Sequence, residues 1–207
     1  MIILLKLTKP LKQRKILILR VPIFIYMKTR VDYGKKGLEI TIPDSMNVRI
    51  VKLENIEPLS DPIGEIRKKL INPDIGTSLH NIIETKKPSY ICIVISDSTR
   101  PVPSGQILEA ILQELLSFGI SDNEIKILIA TGLHRKTTLE ELASILPKWI
   151  MDRFDIINHE GDNPKTLEYI DQTSFGTPIY INNVYLNASV RILTGYVEPH
   201  FFAGFSG

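Results

Sequence analysis

From residue 37 onward, short apolar runs alternate with longer amphipathic stretches. Continuous apolar runs at residues 90–95 and 125–130 are typical of strands that are covered on both faces of a sheet. Between these runs, residues 104–118 place apolar side chains at helical spacing and end before a glycine. Strands that alternate with helices in this way indicate right-handed crossovers and a parallel sheet. The pattern therefore predicts a layered α/β domain.

Weaker patterns supply the remaining elements. Alternation at residues 38–42 and 48–53 predicts a small β-hairpin around residues 43–47. Helices are predicted at residues 63–71, 78–85 and 138–146, the last with Thr137 or Thr138 as its cap. Further strands are predicted at residues 154–158, 178–181 and 190–195. The predicted fold class is α/β: a three-layer Rossmann-like domain with a mainly parallel sheet, plus a small N-terminal β-hairpin.

The first 26 residues differ from the remainder in pattern and in charge. Residues 1–30 carry eight Lys or Arg and no acidic residue, and their apolar positions follow no lasting period. The apolar stretch at residues 16–26 is too short to span a bilayer, and no small-residue cleavage site follows it. We expect residues 1–26 to be a leader outside the fold, and residues 27–207 to form the domain. A weakly membrane-associating segment is the alternative.

Charge and cysteine content narrow the function classes. Of the 25 basic residues, 17 lie beyond residue 30, together with all 23 acidic residues, so this part has a net charge of −6. A part of the chain with this net negative charge offers no basic surface to nucleic acid. We expect neither a nucleic acid nor a membrane as partner. The single cysteine, Cys92, lies in an apolar run and is predicted to be a small buried side chain. A chain with one cysteine forms no internal disulfide, which fits a reducing cytoplasm.

Polar residues that could carry chemistry are concentrated in three segments. SDSTRPVPSG (residues 96–105) and ATGLHR (residues 130–135) each follow an apolar run, and GYVEPHFFAGFSG (residues 195–207) follows a third predicted strand. In open α/β sheets, ligands bind beyond the carboxyl ends of the strands. The three segments are therefore expected to meet at one edge of the sheet.

The first segment brings a carboxylate, two hydroxyls and a guanidinium close to a helix N-terminus. These groups belong to Asp97, Ser98, Thr99 and Arg100. That combination suits an anionic ligand. The alternative is structural: Asp97 and Ser104 cap the helix, and Arg100 pairs with a surface acid. This segment by itself leaves both interpretations open.

The second segment contributes His134, which can both take and give a proton near neutral pH. Gly132 permits a sharp turn of the backbone in front of it. A histidine that only satisfies hydrogen bonds in a packed loop is the alternative, but the edge that His134 shares with Arg100 favours catalysis.

The third segment contributes His200 and a glycine-rich loop, in which two glycines frame Phe205 and Ser206 and free backbone N–H groups for a phosphate. Of the other histidines, His80 is predicted to be solvated on a helix, and His159 is predicted to be structural or to support the site residues indirectly. The four histidines and one cysteine form no zinc signature, so we expect no metal site made by the protein alone.

In this order and at comparable spacing, SDSTRPVPSG, ATGLHR and EPHFFAGFSG closely resemble the N-terminal domain of the nickel-pincer-nucleotide lactate racemase family. The resemblance extends over residues 27–207 and implies an isomerase that racemises or epimerises 2-hydroxy acids. It implies that His134 and His200 are the general acid and base on opposite sides of the substrate, and that Arg100 holds the substrate carboxylate. With the glycine-rich loop included, the candidate cofactor-binding residues are Asp97, Ser98, Thr99, Arg100, Ser206 and Gly207.

The chemistry of 2-hydroxy acids is consistent with these roles. Their α-hydrogen is a poor proton donor, and its removal as a hydride needs an electrophilic acceptor that side chains do not provide. The resemblance implies that the acceptor is a nickel-pincer nucleotide, a nickel-bound pyridinium bisthiocarboxylate mononucleotide. Each enantiomer needs a base near its hydroxyl, which accounts for two histidines, and a guanidinium orients the carboxylate.

The family pattern continues beyond the position of Gly207. It has a lysine joined covalently to the cofactor, a nickel-ligating histidine and a C-terminal domain, none of which occurs in these 207 residues. We therefore expect the chain alone to be inactive, as a fragment, a truncated product or a split subunit that needs the C-terminal domain or a separate subunit. The alternative function is a non-catalytic α/β module that binds a phosphate or nucleotide ligand or a partner.

Overall fold

The computed structural model describes residues 26–49 and 56–206. The chain divides into two compact units between Ile56 and Glu57. The expected leader, residues 1–26, lies outside the described residues except for its last residue, which begins a strand. None of the helices in the described residues is long and apolar enough to cross a membrane.

The first unit contains a β-hairpin of β1 (Tyr26–Val31) and β2 (Leu38–Pro43), which pair antiparallel. A hairpin was predicted here, and β2 forms one with the segment before it. Gly34 and Gly37 explain this pairing, because their φ angles of 54° and 67° reverse the chain ahead of β2 in a conformation that other residues rarely adopt. The predicted pairing with residues 48–53 stays a prediction. Most of residues 48–53 lie outside the described residues.

The strands described in the second unit are β3 (Ile91–Ser96), β4 (Ile125–Ala130), β5 (Asp155–Asn158), β6 (Leu167–Gln172), β7 (Pro178–Asn182), β8 (Val190–Leu193), β9 (Glu198–His200) and β10 (Gly204–Ser206). Four of them form a parallel sheet in the order β5–β4–β3–β8. The pairs β6–β7 and β9–β10 are separate antiparallel ladders. The predicted fold class, an α/β domain with a mainly parallel sheet and a small N-terminal hairpin, is confirmed.

The helices described in this unit are α1 (Pro62–Ile71), α2 (Leu79–Lys86), α3 (Ser104–Ser117), α4 (Leu139–Ile145), α5 (Lys148–Arg153) and α6 (Asn183–Leu186). Helices α1, α2 and α4 begin where the sequence predicts, because a polar side chain caps each N-terminus. Asp61, Ser78 and Thr138 each accept a hydrogen bond from the backbone N–H three residues later. Of the two predicted caps for α4, Thr138 is the one used.

Alternate residues of β3 and β4 face opposite sides of the sheet, which places helices against both faces. On one face, fully buried isoleucines pack against α2, α3, α4 and α5, and those isoleucines are Ile91, Ile93, Ile95, Ile125, Ile127 and Ile129. On the other face, Cys92 and Leu128 pack with Ala188 and side chains of α6. The strands are therefore covered on both sides, as their continuous apolar runs predict.

Two strand predictions need correction. The predicted strand at residues 178–181 exists as β7, but its partner β6 was not predicted, because β6 is exposed along nearly its whole length and lacks an apolar run. Strand β8 ends at Leu193 rather than at residue 195. The chain leaves the sheet two residues early, and β9 then begins a hairpin of its own.

Candidate active site

The carboxyl edge of the parallel sheet contains the candidate site. The chain proceeds from β3 to β4 and β5 on one side of β3, and later returns as β8 on the other side. The strand order therefore reverses between β3 and β8, and such reversals are where α/β sheets bind ligands. A cavity of about 450 Å³ opens there, between the ends of β3, β4 and β8 and the side chains of Arg100, Tyr196, Glu198 and His200. We call this cavity the switch-point crevice.

Asp97 follows β3 directly and is buried, with 6% of its surface exposed. Its Oδ1 accepts hydrogen bonds from the backbone N–H of Thr99 at 2.8 Å and from the Thr99 hydroxyl at 2.5 Å. Burial alone would raise the pKa of the Asp97 carboxyl, but the hydrogen bonds from Thr99 and His134 outweigh it and lower that pKa. Asp97 is thus held as a carboxylate, and it does not cap α3 as the structural alternative proposed.

His134 lies in the loop after β4, where Gly132 has a φ of 59° and the His134 N–H donates to the Thr131 carbonyl. Its Nδ1 lies 2.7 Å from Oδ2 of Asp97. An ionised carboxylate only accepts hydrogen bonds, so Nδ1 of His134 is the donor, and in the neutral ring the lone pair is on Nε2. The half-exposed ring is thereby oriented by a buried charge.

His200 is the last residue of β9 and is exposed. Its Nδ1 accepts hydrogen bonds from the backbone N–H groups of Phe202 and Ala203, both at 3.2 Å. These bonds require a lone pair on Nδ1, so the proton of the neutral ring is on Nε2. The two histidine rings are therefore held in opposite tautomers, His134 with its lone pair on Nε2 and His200 with its proton there.

Arg100 lines the switch-point crevice and lies 3.6 Å, Nη1 to Oε1, from Glu198. The other carboxylate oxygen of Glu198 accepts a hydrogen bond from the Tyr196 hydroxyl at 2.5 Å, which raises the pKa of that hydroxyl. In the structural alternative for the first segment, Arg100 pairs with an acid, and Glu198 is that acid. Glu198 itself lines the crevice, so this pairing lies inside the candidate site.

The structure brings the three predicted residues to one edge of the sheet, but not into one cavity. Arg100 and His200 line the switch-point crevice. His134 lines two neighbouring cavities, one shared with the Asp97–Thr99 turn and one with the loop after β5. The predicted convergence of all three on one cleft therefore holds for Arg100 and His200, while His134 stands beside them, linked to the same segment through Asp97.

Comparison with known proteins shows the family of this chain. The protein-family model of the lactate racemase N-terminal domain matches residues 33–207 of this chain. The chain belongs to this family. The lactate racemase of Thermoanaerobacterium thermosaccharolyticum is 36% identical over 179 residues, which are 86% of this chain and 41% of that protein. The lactate racemase of Lactiplantibacillus plantarum is 38% identical over 142 residues, which are 69% of this chain and 33% of that protein.

A solved structure of the family has the same fold. The lactate racemase apoprotein from Thermoanaerobacterium thermosaccharolyticum superposes with a TM-score of 0.73 at 31% sequence identity, over 87% of this chain and 42% of that chain. The chain therefore spans less than half the length of the curated relatives that it matches.

The structure describes the other predicted site residues of this lactate racemase family member to different extents. Ser98 and Thr99 line a cavity beside His134. Ser206 is the last residue of β10, and Gly207 lies outside the described residues, so their roles stay predictions. Among the described residues, no group of three or more His, Cys, Asp or Glu side chains could hold a metal ion.

The remaining cysteine and histidines have structural positions. Cys92 is fully buried, and burial raises the pKa of its thiol to about 11. His80 is half-exposed on α2, 3.3 Å from Glu84. His159 binds the buried Asn182 through Nδ1 and continues the ladder with β4 through its backbone N–H. The prediction of a buried cysteine is confirmed. His159 also lines a cavity with His134, so its role, structural or in support of the site, stays a prediction.

Four further residues of the site were missed. Tyr196 and Glu198 lie within the quoted third segment, and their position before His200 was the signal that they share its site. Thr137 was considered only as a helix cap, yet it lines the cavity beside His134, and its buried hydroxyl has no partner among the described residues. Asn158 ends β5, and only the pairing of β5 with β4 reveals that it contacts the loop of His134.

Proposed function

We propose that this chain is the N-terminal, catalytic part of a 2-hydroxy acid racemase or epimerase, with lactate as the first substrate to test. The observation that carries the proposal is the pair of histidines, each oriented through its Nδ1, at the same sheet edge as an arginine. Interconversion of two stereoisomers needs proton transfer at both faces of the substrate, and two such rings supply it.

The proposed role of His134 is to take the hydroxyl proton from one enantiomer. Asp97 occupies its Nδ1, so Nε2 is the nitrogen that accepts the proton, and the carboxylate stabilises the imidazolium that forms. His200 has the complementary role on the other face, as an imidazolium that carries protons on both nitrogens. This form requires Nδ1 to release the backbone N–H groups of Phe202 and Ala203. The ring then gives its Nε2 proton to the oxygen and is left neutral, with the lone pair on Nε2. With the other enantiomer the two histidines exchange roles.

The proposed role of Arg100 is to bind and orient the substrate carboxylate. A guanidinium presents paired donors that match a carboxylate, and Glu198 lies 3.6 Å from Nη1 of Arg100, which is longer than a hydrogen bond. Tyr196 fixes Glu198 from the other side. Arg100 is therefore held at the crevice with donors left for the substrate.

The residues around Asp97 fit the nucleotide part of the nickel-pincer nucleotide that the family resemblance implies. A cavity of about 230 Å³ is lined there by Ser98, Thr99 and Thr137. The Thr137 hydroxyl is buried without a hydrogen-bond partner among the described residues, which is costly unless a ligand supplies one. We assign Asp97, Ser98, Thr99, Arg100 and Thr137 to hold the cofactor. When bound, it would supply the electrophilic acceptor for the α-hydrogen.

The activity is proposed for the chain together with the part of its relatives that it does not span, as a C-terminal domain or a separate subunit. The second candidate function is a phosphate- or nucleotide-binding module without turnover. The unpartnered Thr137 hydroxyl favours it equally, because that hydroxyl calls for a ligand but not for a reaction.

A fusion protein separates the two functions. We would join this chain to the remaining C-terminal part of the Thermoanaerobacterium thermosaccharolyticum lactate racemase, load the cofactor, and follow D- and L-lactate by chiral chromatography. Interconversion supports the racemase, and cofactor binding without interconversion supports the binding module.

The same assay with lactate deuterated at the α-carbon tests the role of the histidines. Because they are proposed to act on the hydroxyl proton and not on the α-hydrogen, the label is expected to stay in the product. Loss of the label to solvent would show that a histidine removes the α-hydrogen as a proton, and the proposed mechanism would be wrong.

A further inference from the structure

The loop that carries His134, residues 131–137, is bound along its length by the segment at the end of β5. At its start, the buried Thr131 hydroxyl donates to the carbonyl of His159 at 2.6 Å. Near its end, Lys136 forms an ion pair with Glu160 at 2.5 Å. Asp97 contacts only the His134 ring, so the backbone of this loop is located by other residues.

Asn158 makes the most specific of these contacts. Its Oδ1 accepts a hydrogen bond from the backbone N–H of Thr137 at 2.8 Å, and its Nδ2 donates to the carbonyl of Thr137 at 3.3 Å. One side-chain amide thus satisfies both backbone groups of the last loop residue, and Asn158 is itself fixed by the parallel pairing of β5 with β4. The end of the loop is tied to the sheet.

Gly161 sets the distance between the two loops. A Cβ at this position would lie 2.8 Å from the carbonyl oxygen of Gly132, closer than real Cβ atoms approach a backbone atom. A side chain at residue 161 would therefore push the His134 loop away at its glycine turn, two residues before the histidine.

We propose that Asn158 is a positioning residue for His134, with Gly161 as its steric counterpart. By holding the end of the His134 loop against β5, Asn158 keeps Nδ1 of His134 within hydrogen-bond distance of Asp97 and so selects the tautomer with the lone pair on Nε2. The inference rests on the proposed function for the importance of that tautomer, but the tautomer can be measured without activity.

The test is a long-range ¹H–¹⁵N spectrum of the histidine side chains, recorded on the full chain at a pH where the rings are neutral. His134 is assigned by its loss in His134→Gln. The parent chain is expected to show His134 protonated at Nδ1. In Asn158→Leu, the ratio of the Nδ1–H to the Nε2–H form is expected to fall about fivefold or more, the effect of one net hydrogen bond. Gly161→Ala is expected to shift the ratio in the same direction.

The matched control is Asn81→Leu, which removes an asparagine of α2 whose side chain binds Thr77 and no residue of the β5 segment or of the His134 loop. It is expected to leave the His134 ratio unchanged, and the His200 ring serves as an internal reference in every spectrum. If Asn158→Leu does not fold, Asn158→Asp takes its place. It keeps the acceptor for the Thr137 N–H and replaces the donor to the Thr137 carbonyl with a charged acceptor oxygen.

An unchanged His134 tautomer in the folded Asn158 and Gly161 variants would overturn the proposal, as would an equal change in Asn81→Leu. Because no substrate is involved, a racemase that fails in the fusion assay leaves this result intact, and an unchanged tautomer leaves the racemase assay intact.

Discussion

Asp97 is the residue on which the geometry of the site depends most. It is buried after β3, and it connects the turn that holds Thr99 with the ring of His134 on the next loop. The SDSTR segment indicated its presence at the sheet edge, because a polar run follows an apolar strand. Its pairing with His134 could not be derived from the sequence, since that contact depends on how two loops turn after their strands.

The Asp97 carboxylate is expected to stabilise the fold in a pH-dependent manner. Because its pKa is lower in the folded chain than the value of about 3.9 in an unfolded chain, its contribution is complete above about pH 4 and is lost as the pH falls through the folded value. Asp97→Asn is therefore expected to lower the free energy of unfolding by about 1–3 kcal/mol at pH 6 and by less at pH 3, measured by urea denaturation. A difference that does not shrink on acidification would show that the charge contributes nothing.

Arg100 offers a second prediction at this scale, in the cofactor-loaded fusion. Lysine keeps the charge but cannot form the bidentate contact with a carboxylate, so Arg100→Lys is expected to raise KM for lactate about 10-fold to 100-fold, with a smaller change in kcat. Steady-state kinetics in both directions measures it. An unchanged KM would remove Arg100 from substrate binding.

At the scale of elements, the sequence predicted best those strands that are buried on both faces. The runs that became β3 and β4 are apolar throughout, and burial on both faces requires this. Strands β6, β9 and β10 are short or exposed, so nothing in their composition distinguishes them from loops. The strand β1, which pairs with β2, was not predicted, because the glycine turn before β2 and not an alternation of apolar residues indicates it.

The central strands are expected to carry most of the stability of the second unit. Ile127 of β4 is fully buried, so Ile127→Ala is expected to destabilise the chain by about 2–5 kcal/mol and Ile127→Val by about 0.5–1.5 kcal/mol. The exposed Ile75, truncated to Ala, is the control and is expected to change stability by less than about 0.5 kcal/mol. Equal losses at Ile127 and Ile75 in urea denaturation would contradict the assignment of this core.

At the scale of the whole molecule, residues far apart in the chain meet because the strand order reverses between β3 and β8. The prediction that the three motifs share one sheet edge needed only their positions after apolar runs, and it is confirmed for all three. Their division between adjacent cavities could not be predicted, since β8 ends early and β9 begins a separate hairpin.

Removal of the leader tests the expected domain boundary. A chain that begins at Met27 is expected to keep the thermal midpoint of the full chain to within about 2–4 °C, the shift that 1 kcal/mol causes in a domain of this size. Thermal scans followed by circular dichroism make the comparison. A larger fall in the midpoint would show that residues 1–26 pack into the fold.

The central claim is that His134 and His200 exchange protons with the substrate from one sheet edge. The most direct test compares the rate of lactate interconversion by the cofactor-loaded fusion with the rates of its His134→Ala, His200→Ala and His80→Ala variants. Loss of either site histidine is expected to lower turnover about 10²–10⁴-fold, the usual contribution of a positioned acid or base, while the half-exposed His80 on α2 is dispensable. A parent-like rate in His134→Ala or His200→Ala would contradict the account.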